Sequence, residues 1–272
     1  MLPSILATTV FAGGLAAYVV SADRASPPPP PAPFQVPAPQ GPSGSWASAW
    51  HDEFDGNRLD QSTWQPNRDG STTGDAPFQG ENEAAWFSPS NVTVKDGNLT
   101  LTLQKGSKRL GGTTYPYRTG VVENTKSVLI KPGAYIEARI KVPECDGCWP
   151  AFWLVPNDQW PPEIDIFEFF GTQDDSRPSF NYHPPDGGQT EPKHYGVEGT
   201  DYRNAFHVYG LEWDGTRAIP YVDGKAYPSR AATKDMTSLP LKIILNLSVQ
   251  AGHEPSGGDQ MQVDWVRVWK PR

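Results

Sequence analysis

From about Ser45 onward, apolar residues alternate with polar ones at a period of two, in short blocks divided by turn residues. Ile136, Ala138, Ile140 and Val142 alternate with Glu137, Arg139 and Lys141, the pattern of a strand that buries one face. Val92-Thr93-Val94-Lys95 and the run Leu99 to Leu103 flank Asp96-Gly97, a dipeptide that accepts positive φ at both positions of a two-residue hairpin turn. His207 to Trp213 runs into Asp214-Gly215, and a further strand ends at Tyr221-Val222 before Asp223-Gly224. Lys242 to Val249 and Val263 to Trp269 add two apolar strands near the C-terminus. With no convincing amphipathic helix and no internal repeat, this series predicts an all-β fold, a jelly-roll β-sandwich of two antiparallel sheets. Pro220 interrupts the strand Ala218 to Val222, which predicts an edge position or an irregular strand there.

The N-terminus breaks the pattern. Leu2 to Val20 carries no charge and is followed by the small-residue stretch Ser21-Ala22-Asp23-Arg24-Ala25, so residues 1–25 read as a signal peptide. The length of the apolar stretch, and the lack of a preceding Lys or Arg, leave an uncleaved membrane anchor as the other reading. Residues 26–44, with the unbroken run Pro27 to Pro31, read as an extended Pro-rich linker, and residues 45–272 as one folded domain. Either N-terminal reading places that domain outside the cytoplasm. There Cys145 and Cys148 favour a local disulfide, since a redox motif lacks its βαβ setting and a zinc site lacks two further ligands.

Composition narrows the partners. Lys and Arg total 23 against 31 for Asp and Glu, a formal charge of -8 with no basic stripe to neutralise phosphates, which argues against nucleic acid. The 26 Gly and 29 Pro suit short strands joined by turns. Ten Trp provide flat apolar platforms for an uncharged ligand, or packing groups for the core.

One segment carries candidate chemistry. In Glu163-Ile164-Asp165-Ile166-Phe167-Glu168 the first two acids share a strand face while Ile164 and Ile166 enter the core. Glu168, five residues after Glu163, falls on the wrong face unless a β-bulge near Ile166 and Phe167 returns it. Three carboxylates in a row repel one another, so at least one should stay protonated near neutral pH. Glycosidic cleavage needs that pairing of an ionised carboxylate with a carboxylic acid, although an exposed acidic strand or a calcium site could share the spacing. Trp149 and Trp153 face the same way if their segment is a strand, and Trp160 adds a third indole beside the acids, as in a polysaccharide cleft.

The run Trp149-Pro150-Ala151-Phe152-Trp153-Leu154, the acid motif, the Asp96-Gly97 hairpin and the closing Val263-Asp264-Trp265-Val266-Arg267-Val268 together resemble glycoside hydrolase family 16, over about Trp46 to Lys270. The extra residue before the last Glu is similar to the motif of laminarinases, or endo-β-1,3-glucanases, and agarases and carrageenases share it. The resemblance implies a jelly roll with a concave substrate cleft and retaining endohydrolysis of a β-1,3- or mixed β-1,3-1,4-glucan without a catalytic cofactor. It also implies roles: Glu163 as nucleophile, Glu168 as acid and base, Asp165 as the residue that tunes them. It further implies sugar contacts from the Asn82-Glu83 pair and from His183, and a structural calcium held by Glu53, the Gly97 carbonyl and Asp264. Thr119-Gly120-Val121 departs from the family's usual Ser-Gly-Arg or Ser-Gly-Met, which removes one expected sugar contact. A monomer acting on polysaccharide is expected; hydrolysis of a β-galactan, transglycosylation and carbohydrate binding without turnover are the alternatives.

Overall fold

Two antiparallel sheets share one apolar interior in a computed structural model of the chain, which describes residues 34–68, 74–171, 176–188 and 191–272. The leader or anchor of residues 1–25 and the first part of the linker lie outside the described residues.

The outer sheet runs in the order Lys225–Ala226, Ala218–Val222, Phe206–Trp213, Ala134–Lys141, Gln260–Pro271, Asn98–Thr102 and Val92–Lys95, with Trp46–Asp52 also paired to Gln260–Pro271. The second sheet runs Lys193–His194, Ser179–His183, Glu163–Glu168, Cys148–Val155, Lys242–Val249, Val121–Asn124 and Trp64–Gln65. A small third sheet joins Ala85–Phe87, Thr113–Thr119 and Gln104–Leu110. Neighbouring strands that are distant in sequence give the jelly-roll sandwich its crossovers.

The core follows from strand periodicity. Ile136, Ala138 and Ile140 of the outer sheet meet Phe152, Leu154, Ile164, Leu245 and Leu247 of the second in one buried cluster. The segment Lys242–Val249 is more informative than its apolar content suggests. Ile243, Leu245, Leu247 and Val249 enter the core, so Lys242, Ile244, Asn246 and Ser248 line the opposite face. The Asp96-Gly97 hairpin forms with φ of 54° and 74° at its two turn residues. Pro220 pairs opposite Leu211, and its carbonyl turns outward to accept from the Tyr227 N–H at 2.9 Å. Its missing N–H therefore falls on the nearly open side of the strand, as an edge-like position requires.

The folded unit begins earlier than the linker reading placed it, at Val36. The Trp269 indole donates to the Pro37 carbonyl at 3.2 Å, the Gln40 N–H donates to Glu137 at 3.1 Å, and the Tyr135 hydroxyl donates to the Gln40 carbonyl at 2.8 Å. The last part of the expected spacer is thus docked on the outer sheet.

Candidate active site

The acid strand is bulged where its spacing requires. Asp165 pairs with Asn181 and Glu168 with Ser179, so three steps on this strand match two on its neighbour. On the other side Trp153 pairs with Asp165 and Phe152 with Phe167, which places the extra residue at Ile166 or Phe167. Both of these side chains are buried in the core, and Glu168 returns to the face of Glu163 and Asp165.

The three acids line a cleft of about 450 Å³. The Trp160 indole, 61% exposed, donates to Glu163 at 3.0 Å, and the Trp149 indole donates to Glu168 at 2.9 Å. Trp149 and Trp160 are therefore both aromatic walls and hydrogen-bond donors to the acids. Trp153 is 8% exposed and packs edge-on to Phe78 at 4.8 Å, with its indole N–H on Asn246 at 2.8 Å. It is a packed wall of the cleft more than an open platform.

Electrostatics follow from crowding and dry surroundings. Burial, then the neighbouring Asp165 charge, push Glu163 up to about 9. Burial pushes Glu168 up to about 7, opposed by the Trp149 hydrogen bond. Asp165 is raised well above the usual carboxylate range by burial and the nearby Glu168 charge. The row thus carries fewer than three charges at neutral pH. Asp165 is the most enclosed, and its Oδ2 has no hydrogen-bond partner, so it is the natural holder of a proton. Once Asp165 is neutral, its push on Glu163 disappears, and the Trp160 hydrogen bond favours the ionised Glu163.

Other expected residues divide. His183 lies opposite Glu163 in register, with Nε2 3.3 Å from the Glu163 carboxylate. Asn82 is exposed on the short turn Gly80–Asn82 and does not line the cleft; its neighbour Glu83 does. Glu83 is buried, accepts from Ser248 Oγ and from the Gln79 N–H at 2.6 Å, and is raised by burial. The calcium set does not fit a cation. Both Glu53 oxygens are taken by the Arg267 guanidinium at 2.9 and 2.7 Å, and Asp264 is paired with Arg139 at 2.7 Å. Each carboxylate is already neutralised by an arginine that a divalent ion would have to displace.

Several cleft residues escaped the sequence reading. Asn246 and Lys242 project from Lys242–Val249, and Lys242 pairs with Glu123, which also accepts from Gln65 at 2.9 Å. Arg68 lies over the Phe78 ring at 4.2 Å. The period-two placement of Lys242, Asn246 and Ser248 was a usable signal; nothing local marked Arg68 or Glu123.

Comparison with known proteins fits this geometry. The family model described as "Beta-porphyranase A-D, GH16 domain" matches residues 46–271. The chain is 29% identical over 238 residues to the endo-1,3-1,4-beta-glycanase EglC of Rhizobium meliloti (strain 1021), covering 80% of this chain and 50% of that protein. It is 31% identical over 264 residues to glucan endo-1,3-beta-glucosidase A1 of Niallia circulans, covering 81% of this chain and 37% of that protein. The chain therefore spans half or less of the length of these curated relatives. The endo-beta-1,3-glucanase structure from Pyrococcus furiosus superposes with a TM-score of 0.73 at 27% identity, over 86% of this chain and 98% of that one.

Proposed function

Because this chain belongs to glycoside hydrolase family 16, we propose that it is a retaining endo-hydrolase of β-1,3-glucan or mixed β-1,3-1,4-glucan. The observation that carries the reading is the bulge that returns Glu168 to the face of Glu163 and Asp165, lining a tryptophan-walled cleft. The names of the relatives from Niallia circulans and Pyrococcus furiosus favour a glucan.

In this reading ionised Glu163, steadied by the Trp160 N–H, attacks the anomeric carbon, while Glu168 protonates the departing oxygen. Glu168, now ionised and held by the Trp149 N–H, takes a proton from the water that releases the glycosyl-enzyme. Asp165 keeps its proton beside Glu163 as that charge is consumed and restored. None of these steps calls on an organic cofactor or a metal. A location outside the cytoplasm and a monomeric state belong to the same proposal. The proximity of Cys145 and Cys148, with Cα atoms 5.3 Å apart, supports the first.

The family model's own description favours a second reading, hydrolysis of a β-galactan. A panel of laminarin, lichenan, agarose, carrageenan and porphyran, read by new reducing ends and product length, separates the two. Release of short oligosaccharides from laminarin or lichenan is expected. Cleavage of the galactans alone would replace the glucan reading, and no cleavage of any polymer would leave a binding protein.

A further inference from the structure

We propose that Glu163, Asp165 and His183 also form a binding site for one transition-metal ion of the Zn²⁺ type, whose occupation shuts the cleft down. One oxygen of each carboxylate and one imidazole nitrogen lie within 4.8 Å of one another. His183 Nε2 is 3.3 Å from Glu163 Oε1 and 3.6 Å from Asp165 Oδ2.

These separations are long for N–H···O hydrogen bonds, which mostly lie at about 2.7–3.2 Å. Asn181 explains why. The Tyr182 backbone N–H donates to Asn181 Oδ1 at 2.9 Å, which turns the amide nitrogen toward His183 Nε2 at 3.0 Å. An amide nitrogen can only donate there, so Nε2 bears a lone pair and has no proton to offer either carboxylate. Asp165 Oδ2 is buried without a hydrogen-bond partner, and Asp165 is 3% exposed. The three ligand atoms therefore lie within 4.8 Å of one another with no proton donated between them, and an ion bound there displaces the proton that Asp165 otherwise holds.

The two separations from His183 suit a small tetrahedral ion. Bonds of about 2.0–2.2 Å from Zn²⁺ to imidazole nitrogen and carboxylate oxygen place neighbouring tetrahedral ligands roughly 3.3–3.6 Å apart. The imidazole donor and the small ligand number disfavour Ca²⁺ and Mg²⁺, which take six or more oxygen ligands. Asn181 needs only to release one hydrogen bond. A fourth position would remain for water. An ion here engages the Oε1 atom of Glu163, and Oε2 is already held by Trp160. The inhibitory half of the proposal rests on Glu163 being the attacking group.

The test uses the full chain after chelator treatment. Co²⁺, a spectroscopic stand-in for Zn²⁺, is titrated in without substrate and followed by visible absorption, and Zn²⁺ is then added as competitor. One Co²⁺ per chain with the intense absorption of tetrahedral coordination is expected, displaced by Zn²⁺, and quenching of the exposed Trp160 beside His183 should track it. His183→Gln and Asp165→Asn should each weaken binding by about tenfold or more. His253→Ala, which alters an imidazole paired with Asp146 elsewhere, should leave it unchanged. Wild-type affinity in His183→Gln, or only weak octahedral absorption, overturns the site. Turnover that persists at saturating Zn²⁺ overturns the inhibition. If metal binds as expected while the metal-free chain cleaves no polymer, the hydrolase reading fails and the metal site stands.

Discussion

Two indole N–H groups reach the acid row, one on each outer carboxylate, and oppose the burial that raises both acids. Trp149→Phe keeps the ring but deletes the donor that favours ionised Glu168, so the Glu168 pKa should rise. In the proposed mechanism Glu168 is protonated when it acts as acid, so the alkaline limb of the kcat/KM profile should move to higher pH. An unmoved limb, or one displaced downward, would show that Trp149 contributes only a stacking surface. The division of roles is open to a chemical check. In Glu163→Ala, azide can attack an activated β-glycoside directly, and with Glu168 still present the product should be the α-glycosyl azide. In Glu168→Ala the glycosyl-enzyme still forms from a good leaving group, and azide should give the β product by two inversions. Exchange of the two products between the variants would reverse the assignment.

At the scale of elements, the segment docked ahead of the first strand is held by a close backbone approach as well as hydrogen bonds. Gly41 has φ of 100°, and a Cβ there would lie 2.3 Å from the Gly224 carbonyl oxygen. Gly41→Ala should lower stability by roughly 1–3 kcal/mol in urea denaturation of the full chain, through strain and partial undocking. Glucan hydrolysis under native conditions should be unaffected. Unchanged stability would mean that residues 37–41 rest on the domain without contributing to it. The bulge is the other element that shapes the cleft. It spends one residue of regular pairing to bury Ile166 and Phe167 together and bring Glu168 back to the cleft.

Across the molecule, buried acids tie stability to pH. Glu168 and the outer-sheet Glu137 are raised to about 7, each chiefly by burial. Between the ordinary carboxylate range and these values the folded chain holds protons that the unfolded chain has released. Stability is therefore full at low pH in this respect and is lost as pH rises through about 7. Glu168→Gln removes one such charge while keeping an acceptor for Trp149. It should abolish turnover yet raise stability at pH 8 by on the order of 2–3 kcal/mol, with no gain near pH 4. Equal stability at both pH values would show that Glu168 is better solvated than its surroundings indicate.

What the sequence alone determined was local. Period-two alternation specified the strands, Asp96-Gly97 specified its hairpin, and the five-residue gap between Glu163 and Glu168 required a bulge, because side-chain direction in a strand depends only on near neighbours. The N-terminal edge of the domain was misplaced because a Pro-rich stretch looks the same whether it is free or docked on Tyr135 and Trp269. The calcium reading failed for a related reason: the sequence shows Glu53 and Asp264 as acids but not the arginines laid across them. Tertiary structure alone decided the rest of the cleft. It placed Asn246 against Trp153, Ser248 against Glu83 and Lys242 against Glu123, partners 93, 165 and 119 residues apart. Such pairings depend on which strands become neighbours in the sheet, and that order is set by burying two apolar faces together, a property of the whole chain rather than of any segment.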